Sequence, residues 1–165
     1  MITDQAALLE GAKNAIDSTD ALIKSAEWLC RFLHENEKRY TWVGVYWVES
    51  FAQAGGSADA LILGKYFGPE TEHTRIAYGS GVCGSSALLQ MPIVVPDVRA
   101  IDNYLCCSLA VRSEIVVPLF APDFVGLLDI DSPVLDAFSA DDVKLLVELC
   151  RYLGRKGQTY PPRID

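Results

Sequence analysis

A chain of 165 residues, half of them hydrophobic, is long enough to bury about two-thirds of its surface around one core. Its net charge of −8 and pI near 4.7, with no Lys/Arg run, exclude an electrostatic grip on nucleic acid or on an anionic membrane. No apolar window reaches the roughly 18 residues of a membrane span, and the start MITDQAALLEGAK is neither basic nor continuously apolar, so a soluble cytoplasmic protein is expected.

The first forty residues read as two helices, about 4–16 and 20–37, because apolar residues recur at threes and fours, and Ser18-Thr19-Asp20 offers an N-cap between them. Cys30 falls on the apolar stripe of the second helix and reads as core. His34 reads as an inert surface residue. The period then switches to two. Trp42-Val43-Gly44-Val45-Tyr46-Trp47-Val48 is a strand, Gly55-Gly56-Ser57 a turn, and residues 60–67 the second arm of a hairpin. Trp42 and Tyr46 share a face across Gly44, an arrangement that predicts a cleft for a small apolar group, although aromatic strand residues are usually core.

A short strand near 74–77 leads into Gly79-Ser80-Gly81-Val82-Cys83-Gly84, which has neither the Gly-Lys-Ser/Thr ending of a phosphate loop nor the spacing of a dinucleotide fold. A brief helix to about Gln90 and a strand at 93–95 follow. Residues 97–112 lack a clean period, include Asp102-Asn103, and read as a functional loop with some helix. Strands at 114–119 and 125–131, joined through Ala121-Pro122-Asp123, predict an antiparallel pair. Ser139 caps a closing helix, roughly 140–154, whose apolar row ends at Cys150, another core cysteine. The sum is an α+β domain occupying 1–165: N-terminal helices within 1–38, a sheet with its loops over 41–133, and a C-terminal helix over 139–155.

Two groups of residues bear on chemistry. Alternation puts Asp129 and Asp131 on one face of a strand, with Leu128 and Ile130 on the other, and Glu114 interrupts the apolar strand before it. If the two strands pair, three carboxylates converge, and such a cluster wants a cation or holds a proton. Solvent exposure of the two aspartates, a Ca²⁺ or Mg²⁺ ion and a bound amino group are all compatible with this pattern. Cys83, Cys106 and Cys107 lie beside glycine or polar residues, where a thiolate can be accessible. Zinc held by His73, Cys83, Cys106 and Cys107 is a rival to thiol redox chemistry, but the paired-cysteine spacing of a zinc knuckle is absent. Simple packing of these cysteines is the third reading.

Taken together, Thr41-Trp42-Val43-Gly44-Val45-Tyr46, Gly79-Ser80-Gly81-Val82-Cys83-Gly84, Asp97-Val98, Ser113-Glu114-Ile115-Val116-Val117-Pro118 and Leu128-Asp129-Ile130-Asp131-Ser132-Pro133 resemble the free methionine-(R)-sulfoxide reductases. These are stand-alone GAF domains, and the resemblance runs in order from about residue 41 to 150. It implies a GAF fold and a pocket for one free methionine sulfoxide. Glu114, Asp129 and Asp131 would hold the substrate, and Trp42 and Tyr46 would line the pocket.

The resemblance also implies thiol reduction recycled by thioredoxin, with no bound cofactor and no metal. Cys107 would be the attacking thiolate and Cys83 the resolving thiol; they lie 24 positions apart, as in the family. Cys106 is an auxiliary candidate. His73 stands where the family's third cysteine would be, ten residues before Cys83. The alternative is a non-catalytic GAF module that binds or senses a small ligand. A homodimer through the N-terminal helices is compatible with either.

Overall fold

The computed structural model describes residues 4–106 and 108–157. Cys107, the expected nucleophile, lies outside the described residues. The chain opens with α1 (Gln5–Asp17) and α2 (Leu22–Asn36), then β1 (Trp42–Val48), a single turn α3 (Glu49–Ala52), β2 (Ala60–Phe67), β3 (Arg75–Ala77), α4 (Gly81–Leu89) and β4 (Ile93–Val95). A 3₁₀ turn at Val98–Ala100 begins the long loop, and β5 (Ser113–Phe120), β6 (Phe124–Ser132) and α5 (Ala140–Gly154) complete the fold. The expected α+β order is what forms. The additions are α3, the 3₁₀ turn at Val98–Ala100 and another at Arg155–Gly157.

Among the described residues six strands lie in the order β3-β2-β1-β6-β5-β4, all antiparallel to their neighbours. α1, α2 and α5 cover one face. There Val43, Ile130 and Ile115 form one row across the sheet, and Val45, Leu128 and Val117 the next, packed on Leu29, Leu33, Leu146 and Leu149. Each fully buried Leu or Ile contributes about 1.5–3 kcal/mol. Cys30 and Cys150 sit in this core, as their helical periods predict, and burial raises both thiols above the ordinary range.

Capping fixes the helix ends that matter most. The Asp4 side chain accepts from the Ala6 amide, and Ser139 forms a capping box in which its hydroxyl accepts from the Asp142 amide while Asp142 accepts from the Ser139 amide. Asp142 also takes the Arg39 guanidinium and the Gln5 amide, so one buried carboxylate ties α5 to both the approach to β1 and α1. The cap expected from Ser18-Thr19-Asp20 falls differently. Ala21 is the N-cap of α2 and gives no side-chain bond; instead Thr19 Oγ1 accepts from the Ala21 amide, and Ser25 Oγ donates to the Ile16 and Thr19 carbonyls. His34 also departs from expectation. It is half-buried, its Nδ1 lies 3.0 Å from the Tyr40 carbonyl oxygen, and its ring stacks on Phe67.

Candidate active site

The second face of the sheet carries the chemistry. Pairing of β5, β6 and β1 sets Glu114 opposite Asp131 and Asp131 opposite Trp42; in the next row Val116 faces Asp129, which faces Gly44, and in the third Pro118 faces Leu127, which faces Tyr46. The convergence of three carboxylates, conditional on strand pairing, is therefore realised. Glu114 is 5% exposed, Asp129 3% and Asp131 2%, so none of them faces solvent.

The aromatics behave partly as expected. Trp42 and Tyr46 share this face with ring centroids 6.4 Å apart, but no cleft opens between them. A Cβ on Gly44 would stand 2.5 Å from the Trp42 ring, so that ring occupies the space the glycine vacates, stacked on Tyr66 at 5.2 Å. Both aromatics use their polar ends to hold the 69–73 loop over the sheet. Trp42 Nε1 donates to the Pro69 carbonyl at 3.1 Å, and the Tyr46 hydroxyl donates to the His73 carbonyl at 2.7 Å.

α4 brings Cys83 onto the carboxylates. Its first residue, Gly81, has φ +66°, which favours glycine, and a Cβ there would meet Leu105 at 2.7 Å. Asn103 clamps this corner: its Oδ1 accepts from the Gly81 amide at 2.9 Å, and its amide nitrogen donates to the Gly79 carbonyl and to Ser85 Oγ, each at 3.1 Å. The sequence signal for this role was the polar Asp102-Asn103 pair within an aperiodic loop, but nothing local names its partner.

Tyr46, His73, Cys83, Leu105, Glu114 and Asp129 line one pocket with Ile76 and Val82. Its free volume is about 10 Å³, roughly enough for one water. Trp42 and Asp131 line an adjoining recess of about 130 Å³ with Glu70, Ser108 and Val111. The five residues expected to bind substrate thus fall into two neighbouring compartments. Cys106 is exposed, and its carbonyl lies 3.1 Å from His73 Nε2 at the rim. His73 and Cys83 share the pocket, whereas His73, Cys83 and Cys106 do not appear as a ligand cluster among the described residues.

The electrostatics favour proton retention. Burial pushes Asp129 up, although hydrogen bonds with Glu114 and Cys83 act in the opposite direction. Asp131 is raised well above the usual carboxylate range, first by burial and then by the charge of Asp129. The Cys83 thiol is likewise pushed well up, by burial first and then by Asp129 and Glu114; its Sγ lies 4.0 Å from Glu114 Oε1. Asp129 Oδ1 is buried without a hydrogen-bond partner among the described residues. Such a cluster can donate a proton to a developing oxyanion or embrace a cation.

The model of the GAF domain matches residues 27–155. The chain belongs to the GAF domain family. This GAF domain is 34% identical over 122 residues to the free methionine-R-sulfoxide reductase of Escherichia coli (strain K12), a match covering 73% of the chain and 68% of that relative. It is 35% identical over 115 residues to GAF domain-containing protein A of Dictyostelium discoideum, covering 69% and 68%. The X-ray structure of the free methionine-R-sulfoxide reductase from Neisseria meningitidis in complex with its substrate superposes with a TM-score of 0.83 at 32% identity, covering 95% of this chain and 92% of that one. The resemblance read from the sequence, and the fold it implied, are borne out by these likenesses. Among the described residues no helix is long and apolar enough to cross a membrane.

Proposed function

We propose that this GAF domain reduces free L-methionine (R)-sulfoxide to methionine. The observation that carries the reading is the buried convergence of Cys83, Glu114 and Asp129 in one pocket, beside a recess holding Trp42 and Asp131. The buried thiol and carboxyl groups are of the kind such a reaction needs.

The Cys107 thiolate attacks the sulfoxide sulfur, forming an S–S bond. A carboxyl of the Glu114/Asp129/Asp131 group donates its proton to the sulfoxide oxygen, a role favoured by the burial that raises Asp129 and Asp131. The hydroxyl passes to Cys107 as sulfenic acid, and methionine leaves with the electron pair of the broken bond. The Cys83 thiol then displaces that hydroxyl as water and forms a disulfide with Cys107. A thioredoxin-type dithiol restores both thiols by exchange, with no bound cofactor. The elevated Cys83 thiol suits the resolving role better than the attacking one, since a buried thiol is a poor first nucleophile at neutral pH. Cys106, exposed beside Cys107, is the auxiliary thiol. The thiol cycle places the protein in a reducing compartment such as the cytoplasm.

One residue favours a second reading, a binding or sensing module without turnover: His73, where the family's third cysteine would stand. A thioredoxin-coupled assay offering free R-sulfoxide, free S-sulfoxide and peptide-bound sulfoxide decides between them. Turnover of the free R form alone is expected. No turnover of any form, with methionine still bound, ends the reductase reading. A homodimer through the N-terminal helices is a further proposal, supported by Ile23 and Trp28 exposed on α2 and tested by light scattering.

A further inference from the structure

Among the described residues, Cys83, Glu114 and Asp129 each present a potential ligand atom, and these atoms lie within 4.8 Å of one another in a buried setting. Three potential anions converge there, and of the residues lining the pocket only His73 can become cationic. A second observation is independent of the cluster's composition: Asp129 Oδ1 is sealed from solvent, lacks a hydrogen-bond partner among the described residues, and belongs to a side chain lining the pocket. A buried carboxylate oxygen left in this way is unfavourable unless something bonds to it.

We propose that this cluster is a binding site for a single Zn²⁺ ion, held by Cys83 Sγ and by carboxylate oxygens of Glu114 and Asp129. The sulfur donor selects a borderline-soft ion over Ca²⁺ or Mg²⁺, which prefer all-oxygen shells. Binding breaks the Cys83 S–H bond and the O–H bond of any ligating carboxyl that holds a proton, forms Zn–S and Zn–O bonds, and releases those protons to solvent. No electron moves. Zinc bonds of about 2.0 Å to oxygen and 2.3 Å to sulfur in a tetrahedral shell place ligand atoms roughly 3.3–3.5 Å apart, so the side chains close by up to about 1.5 Å. His73 Nε2 is engaged with the Cys106 carbonyl at the rim, which leaves the fourth position to solvent.

The consequence rests on the proposed function. The same thiol and carboxylates serve resolution and substrate binding there, so zinc and sulfoxide exclude one another, and zinc is a reversible inhibitor of turnover.

The test uses the full chain, reduced and stripped of metal with a chelator. Zinc binding is followed by calorimetry, and cobalt binding by the thiolate-to-metal charge-transfer absorption. One equivalent of zinc and a charge-transfer band with cobalt are expected. The band should persist in Cys106→Ser and vanish in Cys83→Ser, with zinc affinity falling more than about tenfold in Asp129→Asn and Glu114→Gln. Absence of binding, or a band that survives Cys83→Ser, overturns the site. If Cys83→Ser fails to fold, undiminished zinc affinity in a folded Asp129→Asn overturns it instead. Turnover assays keep the two ideas apart. Zinc held through Cys83 by a chain that reduces no sulfoxide supports the site and sinks the reductase reading, whereas turnover indifferent to saturating zinc overturns the site.

Discussion

β5 and β6 present two faces built from alternate residues of the same segments, and the faces could hardly differ more. Ile115, Val117, Leu128 and Ile130 point into the layer covered by α1, α2 and α5, within one cluster of buried hydrophobic residues. Glu114, Asp129 and Asp131 point the other way and are as deeply buried, but beneath α4 and loops, where burial raises the proton affinity of Asp129 and Asp131. One face supplies stability and the other spends part of it on a reactive site. A shift of a single position in strand register would exchange them.

Substitutions can break this comparison. The largest effect is expected at Ile130→Ala, which should cost about 2–5 kcal/mol in urea unfolding because a tightly packed layer cannot collapse around the cavity. Asp129→Asn, one position away, should change stability by less than about 1 kcal/mol while lowering sulfoxide turnover more than about tenfold. Equal stability losses at the two positions would show that the faces are not divided in this way.

The pH dependence of stability sharpens the contrast, because the two faces titrate with opposite sign. Asp142 is held below its ordinary 3.8, against the opposing cost of burial, by hydrogen bonds from Arg39 and Ser139; its contribution is present above that value and lost as pH falls through the folded pKa. Asp129 and Asp131 are raised above the same ordinary 3.8, so the folded state keeps protons that the unfolded chain releases. Their contribution is fully present below 3.8 and declines as pH rises through the folded pKa values. In metal-free buffer, Arg39→Ala should therefore flatten the acid limb of the stability profile, with a loss of about 1 kcal/mol at neutral pH. Asp131→Asn should flatten the decline on the other side. Chemical unfolding across pH checks both.

The smallest effect concerns the loop over the site. Asn103→Ala removes the clamp on Gly79, Gly81 and Ser85, and Cys83 should then react severalfold faster with a thiol reagent, read by mass spectrometry, with little change in the unfolding midpoint.

Most of the frame was legible in the sequence because it depends on period. Alternation in 125–131 predicted the shared face of Asp129 and Asp131, the short connection through Ala121-Pro122-Asp123 predicted the antiparallel pair, and the stripes of two helices placed Cys30 and Cys150 in the core. What escaped is set by contacts between distant segments. Gly44 looked like the floor of a cleft, but a side chain two positions away fills it. His34 looked exposed until Tyr40 and Phe67 came to meet it. The Asn103 clamp and the orphaned oxygen of Asp129 depend on how α4 seats against the sheet, which no local pattern encodes.

The strand order has a consequence for how the molecule comes into being. β6 is the last strand among the described residues, yet it lies at the centre of the sheet, between β1 and β5. During synthesis the β1–β2–β3 half can pair early, but it meets β5 only after β6 has slid between them, a long-range closure of the slow kind. The strand that completes the sheet is the one carrying Asp129 and Asp131. A partly made chain therefore has helices and hairpins but no reactive centre, and the chemistry appears in the same event that makes the fold whole.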